Sequence, residues 1–210
     1  MILVFIGPPG SGKGTQAKII SKRLSIPHIS TGEILRNSKE KTKREIEKIT
    51  KKGGLINNKL MFNLLNRRIK QKDCEQGFIL DGYPRNLKQA KKLDKKIGFD
   101  KIIEIETSEK VSIKRILGRR HCCGCGKKYN IKIKELRPKN KEYCDLCGKE
   151  LVKRKDDNEK TIKKRLKIYN KITKPLIKEY KNRVIKINGN HSIKKVANQI
   201  IKELKDEKLI

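Results

Sequence analysis

The chain has 210 residues, of which 56 are Lys or Arg and 23 are Asp or Glu, so its formal net charge is +33. This length allows one domain with a substantial insertion and makes two independent domains less expected. No stretch approaches the roughly 18 apolar residues of a membrane-spanning helix, and Met1 leads straight into an apolar run. The sequence therefore predicts a cytoplasmic protein without membrane association.

The positive charge would attract any polyanion at low salt, whether nucleic acid, an anionic membrane or nucleotide phosphates. The lysines are spread along nearly every predicted helix and do not cluster in one tail. We therefore interpret the excess charge as a solvated surface, of the kind that biased codon usage would produce.

Short aliphatic runs alternate with helical segments along most of the chain. The run Ile2–Ile6 ends at a glycine and predicts a strand buried on both faces, and helical spacing follows from Thr15 to Leu24. Further aliphatic runs lie at 78–80, 102–105 and 184–187, with helical segments at 57–72 and 87–97 between them. This alternation predicts an α/β fold with a parallel, doubly wound sheet.

Between Arg119 and Asp157 the sequence changes to a Cys-, Gly- and Lys-rich stretch of short strands and turns. We interpret this stretch as an inserted subdomain. Helices predicted at about 108–118 and 158–180 would flank it, and Pro175 would kink the second of them.

The glycine-rich segment after the first strand reads Gly7-Pro8-Pro9-Gly10-Ser11-Gly12-Lys13-Gly14-Thr15. Closely spaced glycines let backbone N–H groups converge on phosphate oxygens, and the start of the following helix favours the same anion. Lys13 would reach the outer phosphates. The general pattern has Ser or Thr directly after this lysine as a magnesium ligand, whereas here Gly14 intervenes and Thr15 follows. The segment predicts nucleotide phosphate binding.

Asp81 ends an apolar strand beside this loop, where nucleotide-binding α/β proteins place a carboxylate near magnesium, usually through water. The alternative is a turn-forming aspartate before Gly82, and we favour the Mg²⁺ role. The three histidines are isolated along the chain, so general acid–base or nucleophilic catalysis is not expected.

Four of the six cysteines form two Cys-x-x-Cys pairs, each followed by glycine: Cys122, Cys125, Cys144 and Cys147. Glycine permits the tight turn that directs two sulfurs at one metal, so the pattern predicts a structural Zn²⁺ site with four thiolates. Iron remains open as the metal in the cell, and two disulfides are the less expected alternative. We expect Cys123 to take no part in metal binding and Cys74 to be a thiol buried in the core.

The loop with Gly14 after Lys13, continuing into Thr15 and Gln16, resembles the phosphate-binding loop of adenylate kinases. Two more segments of that family follow in order: Ile-Ser-Thr-Gly-Glu-Ile-Leu-Arg at 29–36, and Leu-Asp-Gly-Tyr-Pro-Arg at 80–85 with Gln89. The family often has Asp where this chain has Glu33. The resemblance covers nearly the whole chain.

The resemblance implies the fold of the P-loop nucleoside monophosphate kinases. Its core would comprise 1–29, 57–118 and 157–210, its AMP-binding flap 30–56, and its zinc-binding lid 119–156. It also implies a monomer that transfers phosphoryl reversibly, ATP + AMP to 2 ADP, with Mg²⁺.

The resemblance further implies the site residues. Thr31 would contact the adenine of AMP and Gln89 would read its edge, while Arg36 and Arg85 would bind its phosphate. The implied catalytic group is Lys13, Arg85, Arg119, Arg154 and Arg165. The implied ATP-binding group is Gly10, Ser11, Gly12, Lys13, Gly14, Thr15, Arg119, Lys128, Tyr129 and His191. The remaining implied AMP contacts are Gly54, Leu55, Ile56, Gly82, Tyr83, Pro84, Arg154 and Arg165.

Two alternatives remain. A kinase of another nucleoside monophosphate would share the loop and the arginines, but Thr31, Gln89 and the long lid favour AMP. A nucleic-acid-binding zinc-ribbon protein would explain the cysteines and the charge, yet only Tyr129 and Tyr143 offer stacking surfaces near the cysteine pairs. We therefore expect no specific nucleic-acid partner.

Overall fold

The computed structural model describes residues 1–36, 56–154 and 156–210. Its largest sheet contains β1 (Ile2–Ile6), β2 (His28–Ser30), β3 (Phe78–Asp81), β4 (Lys101–Glu106) and β8 (Val184–Asn188). The strand order is β2-β3-β1-β4-β8, and every neighbouring pair is parallel. The predicted α/β class with a parallel sheet is confirmed.

The helices of the described residues are α1 (Lys13–Leu24), α2 (Thr31–Arg36), α3 (Asn58–Ile69), α4 (Leu87–Lys96), α5 (Glu109–Leu117), α6 (Glu159–Ile168), α7 (Pro175–Glu179) and α8 (Ile193–Asp206). Short 3₁₀ turns lie at Lys72–Cys74, Lys134–Leu136 and Lys181–Arg183. Within the described ranges, no helix combines the length and the apolar character needed to cross a membrane.

Side chains alternate between the two faces of the sheet along each strand, so apolar side chains point to both faces. Helices cover both faces and bury these side chains. On β1, Leu3 and Phe5 pack with buried residues of α1 and α8, whereas Val4 and Ile6 pack with those of α3, α4 and α7. The central strand is therefore buried on both sides, as its uninterrupted apolar run predicts.

The helix predicted over 158–180 is interrupted. Because Pro175 has no N–H group and its ring would clash with the carbonyl of Lys171, regular α-helical hydrogen bonding cannot continue through this position. The chain widens into a π-helical turn over Tyr169–Thr173, and the Lys174 N–H donates to the Tyr169 carbonyl at 2.8 Å. Pro175 then begins α7, where its fixed φ is favourable.

A second, antiparallel sheet lies between α5 and α6. Its strands are β5 (Arg119–Cys122), β6 (Lys128–Asn130) and β7 (Leu151–Val152), in the order β6-β5-β7. We refer to residues 119–154 as the lid. The predicted domain boundaries stay predictions, and most of the predicted flap, including Gly54 and Leu55, lies outside the described residues.

Candidate active site

The phosphate loop runs from the end of β1 to the start of α1. Gly10 has φ +83° and Gly12 has φ +101°, a region that other residues rarely adopt. A Cβ atom on Gly10 would also lie 2.5 Å from the Ser112 carbonyl oxygen of α5. The loop therefore requires glycine where it turns, and it leads into a helix N-terminus of the kind that binds anions.

Lys13 folds back over this loop. Its ammonium donates to the carbonyls of Gly7 at 2.8 Å and Pro8 at 2.9 Å. Burial lowers the pKa of Lys13 to about 8, although the nearby Asp81 carboxylate raises it. A cation held at such a cost in desolvation would be stabilised by a phosphate ligand.

Asp81 lies against the loop at the carboxyl end of β3. A Cβ atom on Gly14 would come within 2.9 Å of its Oδ2, so Gly14 leaves the space that this carboxylate occupies. Burial alone would raise the pKa of Asp81, but His28, whose Nε2 is 3.4 Å from Oδ2, together with Lys13 and Arg85 lowers it below the usual value. An ionised carboxylate beside a phosphate loop suits a magnesium ion.

Thr31 joins α2 to the end of β3, because its hydroxyl donates to the Asp81 carbonyl at 3.2 Å. Gly82, with φ +85°, follows Asp81, and a Cβ atom there would lie 2.7 Å from the Thr31 hydroxyl. Leu35, Ile56 and Met61 line the cleft next to Thr31. An apolar wall with one hydroxyl suits the face of a nucleotide base.

Gln89 is buried at the first turn of α4, and its Oε1 accepts the Arg85 N–H at 2.7 Å. The Arg85 Nε in turn donates to the Gly82 carbonyl at 2.8 Å, so the Arg85 guanidinium lies against the backbone that follows β3. Of the segment 82–85, Gly82, Pro84 and Arg85 line the cleft, whereas the Tyr83 side chain packs in the core. A contact of Tyr83 with AMP would therefore involve its backbone.

Among the described residues, seven arginines line one continuous cleft of about 2420 Å³, and five of them are the arginines predicted from the sequence: Arg36, Arg85, Arg119, Arg154 and Arg165. Burial together with the charges of Arg119 and Arg36 lowers the pKa of Arg154 to about 10. Burial likewise lowers the pKa of Arg36, where Arg119 adds to the effect. Cations this close repel one another, so the arrangement suits a highly charged anion.

Two neighbouring carboxylates hold two of these arginines. Asp157, which is 1% exposed, accepts from the Nε of Arg119 at 2.7 Å, and Asp156 pairs with Arg165. Neither aspartate was predicted from the sequence, although both stand directly after the arginine- and lysine-rich end of the lid. They fix the guanidinium groups at the edge of the cleft.

Arg115 also escaped prediction as a site residue: a spacing of four from Arg119 would place both on one helical face, but the helix α5 ends at Leu117 and Arg119 begins β5. The Arg115 guanidinium donates to the Ser11 carbonyl at 3.3 Å and to the Gly189 carbonyl at 2.8 Å. It thereby connects the phosphate loop to the turn after β8, where the exposed His191 lines the cleft.

The lid reaches across the cleft to α2, because the Lys128 ammonium on β6 lies 2.5 Å from a Glu33 carboxylate oxygen. Tyr129, the next residue, is 5% exposed and belongs to the small lid core with Cys122, Cys144 and Leu151. The predicted contact of Tyr129 with ATP stays a prediction. Its hydroxyl lies 3.4 Å from the Cys144 sulfur.

The four predicted metal ligands converge. The Sγ atoms of Cys122, Cys125, Cys144 and Cys147 all lie within 4.8 Å of one another. The closest pairs are Cys122 with Cys147 at 3.3 Å and Cys125 with Cys144 at 3.6 Å. Cys123 is exposed and outside this group, and Cys74 is buried in the main core.

Both cysteine pairs adopt the same turn. The Gly126 N–H donates to the Cys122 carbonyl at 3.2 Å, and the Gly148 N–H donates to the Cys144 carbonyl at 2.9 Å. Both glycines have a positive φ, +70° and +69°. The sequence Cys-x-x-Cys-Gly therefore forms two matching turns whose sulfurs face each other, as the spacing predicts.

Hydrogen-bond donors surround the sulfurs. Burial would raise the pKa of the Cys144 thiol, but the hydroxyl of Tyr129 and the N–H groups of Leu146 and Cys147 lower it to about 6. The Gly124 and Cys125 N–H groups donate to the Cys122 sulfur at 3.3 and 3.4 Å. Such donors stabilise thiolates, so the cluster is compatible with a zinc ion.

The parallel sheet, the phosphate loop and the arginine-lined cleft define a P-loop phosphotransferase. A family model described as adenylate kinase matches residues 5–185. The chain is 43% identical to the adenylate kinase of Clostridium botulinum (strain Langeland), over 95% of this chain and 96% of the relative. It is 42% identical to that of Clostridium perfringens (strain SM101) and 40% identical to that of Clostridium novyi (strain NT), in both cases over 99% of this chain and all of the relative. The chain belongs to the adenylate kinase family.

Proposed function

We infer that this chain catalyses reversible phosphoryl transfer between ATP and AMP, giving two molecules of ADP. The observation that carries this inference is the single cleft in which Lys13 of the phosphate loop meets arginines from α2, the β3–α4 segment, the lid and α6. A triphosphate and a monophosphate held between these cations would have their reacting groups close together and their charge neutralised.

ATP would bind at the phosphate loop, with backbone N–H groups of Gly10–Thr15 and the Lys13 ammonium on its phosphates. Magnesium bound with ATP would neutralise charge on the β- and γ-phosphates. Asp81 would hold that ion through water. Arg119, Lys128, Tyr129 and His191 would complete the ATP side from the lid and the turn after β8.

AMP would bind on the opposite side, with its base between the apolar wall at Ile56 and the polar pair Thr31 and Gln89. Arg36 and Arg85 would hold its phosphate at the mouth of the cleft. Gly54 and Leu55, which lie outside the described residues, belong to this proposed group by resemblance, while Gly82 and Pro84 would shape the edge of the base site through their backbones.

The protein would accelerate transfer by positioning the reactants and by electrostatic stabilisation, because this reaction needs little covalent help from side chains. Arg119, Arg154 and Arg165 would neutralise the negative charge shared between the two nucleotides. Closure of the lid would exclude water, which would otherwise accept the phosphoryl group.

In the lid, we propose one structural Zn²⁺ bound by the four thiolates of Cys122, Cys125, Cys144 and Cys147. The lid core holds only two further buried residues, Tyr129 and Leu151. A metal would supply the cross-links that so small an apolar cluster cannot. The active unit would be a monomer, because all groups assigned to the reaction come from one chain.

Initial rates measured with ATP and, in parallel, AMP, CMP, UMP and GMP would test the assigned acceptor. We expect kcat/KM for AMP to exceed the others by at least about 100-fold, because Gln89 and Thr31 present hydrogen-bonding groups to one base edge. A clear preference for a pyrimidine nucleotide would instead identify a kinase of another nucleoside monophosphate.

A further inference from the structure

We propose that Asn58 is a positioning residue that determines the acceptor base, because it holds the side-chain amide of Gln89 in the orientation that matches adenine. The inference rests on the proposed role of Gln89 in reading the base of AMP. It adds a residue from α3 that neither the sequence motifs nor the cleft lining point to.

Asn58 is the first residue of α3, and its Oδ1 is the meeting point of two donors. The Gln89 Nε2 lies 2.9 Å from this oxygen, and the Asn86 Nδ2 lies 3.1 Å from it. Gln89 itself is 3% exposed, whereas Asn58 is exposed, so Asn58 closes this network on its solvent side. Asn58 thus joins α3 to the start of α4.

Backbone groups determine the direction of this network at both ends. The Arg85 N–H donates to the Gln89 Oε1 at 2.7 Å, which leaves the Gln89 amino group facing Asn58. The Gln89 N–H donates to the Asn86 Oδ1 at 2.9 Å as the cap of α4, which likewise leaves the Asn86 amino group facing Asn58. Backbone N–H groups cannot reverse their polarity, so the Asn58 oxygen must face both amino groups.

A flipped Gln89 would make two unfavourable contacts. Its amino group would face the Arg85 N–H, donor against donor, and its oxygen would face the Asn58 Oδ1, acceptor against acceptor. Asn58 therefore supplies one of the two interactions that select the amide orientation, and Arg85 supplies the other.

The orientation of an amide decides which purine it fits. Adenine presents an acceptor at N1 and a donor at its 6-amino group, whereas hypoxanthine presents a donor at N1 and an acceptor at O6. An amide oriented to pair with adenine would face hypoxanthine donor against donor and acceptor against acceptor. A flipped amide would pair with hypoxanthine and oppose adenine. Loss of Asn58 should thus weaken discrimination between AMP and IMP more than it weakens catalysis.

The test compares Asn58→Ala with Asn58→Asp, because Asp keeps the acceptor oxygen and Ala removes it. For Asn58→Ala we expect KM for AMP to rise and the ratio of kcat/KM for AMP over IMP to fall by about tenfold, the scale of one hydrogen bond. We expect kcat and KM for ATP to change by less than about twofold, which fits a group that acts only on the acceptor base. Asn58→Asp should restore the wild-type ratio.

Asn57→Ala is the matched control, since the Asn57 side chain caps α3 through the Lys59 N–H at 2.8 Å and has no contact with Gln89 among the hydrogen bonds of the described residues. It should lower the thermal midpoint and leave the AMP over IMP ratio unchanged. An Asn58→Ala enzyme with an unchanged ratio, or an Asp variant as unselective as Ala, would overturn the role of Asn58 alone. A wild-type enzyme without preference for AMP would overturn the proposed function, and this inference with it.

Discussion

Replacement of Lys13 by Met is expected to lower kcat by about 10²–10³-fold, the scale seen when one preorganised donor to a developing charge is removed. The Lys13 ammonium is held over the phosphate loop by the carbonyls of Gly7 and Pro8. Met keeps much of the side-chain volume but cannot donate to a phosphate oxygen. Steady-state kinetics with saturating ATP and AMP would measure the change.

The folded state should tolerate this substitution. Burial already lowers the pKa of Lys13 to about 8, so the ammonium stays the main form near pH 7 but is less stable here than in water. The thermal midpoint of Lys13→Met without nucleotide should therefore be at least that of the unsubstituted chain. Lys202→Met, on the exposed face of α8, is the matched control and should keep full activity. Wild-type kcat in Lys13→Met would contradict the assigned role.

Replacement of Cys147 by Ser is expected to abolish stoichiometric zinc binding and to lower the thermal midpoint by about 10 °C, which corresponds to roughly 3–4 kcal/mol in a chain of this size. Cys147 is exposed, so its loss removes a metal ligand and little apolar packing. Elemental analysis together with thermal unfolding would measure both effects. A strong chelator should shift the midpoint of the unsubstituted chain in the same direction.

Cys123 provides the control, because it is an exposed cysteine next to Cys122 but lies outside the converging group. Cys123→Ser should keep about one zinc per chain and an unchanged midpoint. Equal effects of the two substitutions would mean that stability depends on general thiol chemistry and not on a four-sulfur site. Unsubstituted protein purified without chelators and free of metal would also contradict the proposal.

The sequence was sufficient for the features that depend on local spacing. The apolar strands predicted at 78–80, 102–105 and 184–187 are confirmed, because strands buried on both faces leave a continuous aliphatic pattern. β2 was missed, since it has only three residues and two of them, His28 and Ser30, are polar. The two cysteine turns follow from a spacing of three residues and a glycine.

The features that could not be predicted depend on contacts between distant residues. Gly14 stands out in the sequence only as a departure from the general loop pattern. The physical reason for glycine is that a Cβ atom here would clash with an oxygen of Asp81, which is 67 positions away in the chain. The pairing of Arg119 with Asp157 and the contact of Asn58 with Gln89 join residues 38 and 31 positions apart. No local periodicity records such pairs.

The central claim is that the phosphoryl group passes directly from ATP to AMP within one cleft, without a covalent intermediate on the protein. The most direct test uses ATP labelled at its γ-phosphate together with unlabelled AMP. In a single turnover, we predict that the label passes only to the β-phosphate of ADP, with two ADP for each AMP consumed, and that no label remains on the denatured protein. Labelled protein that transfers its phosphate to AMP, or release of inorganic phosphate without ADP formed from AMP, would contradict the account.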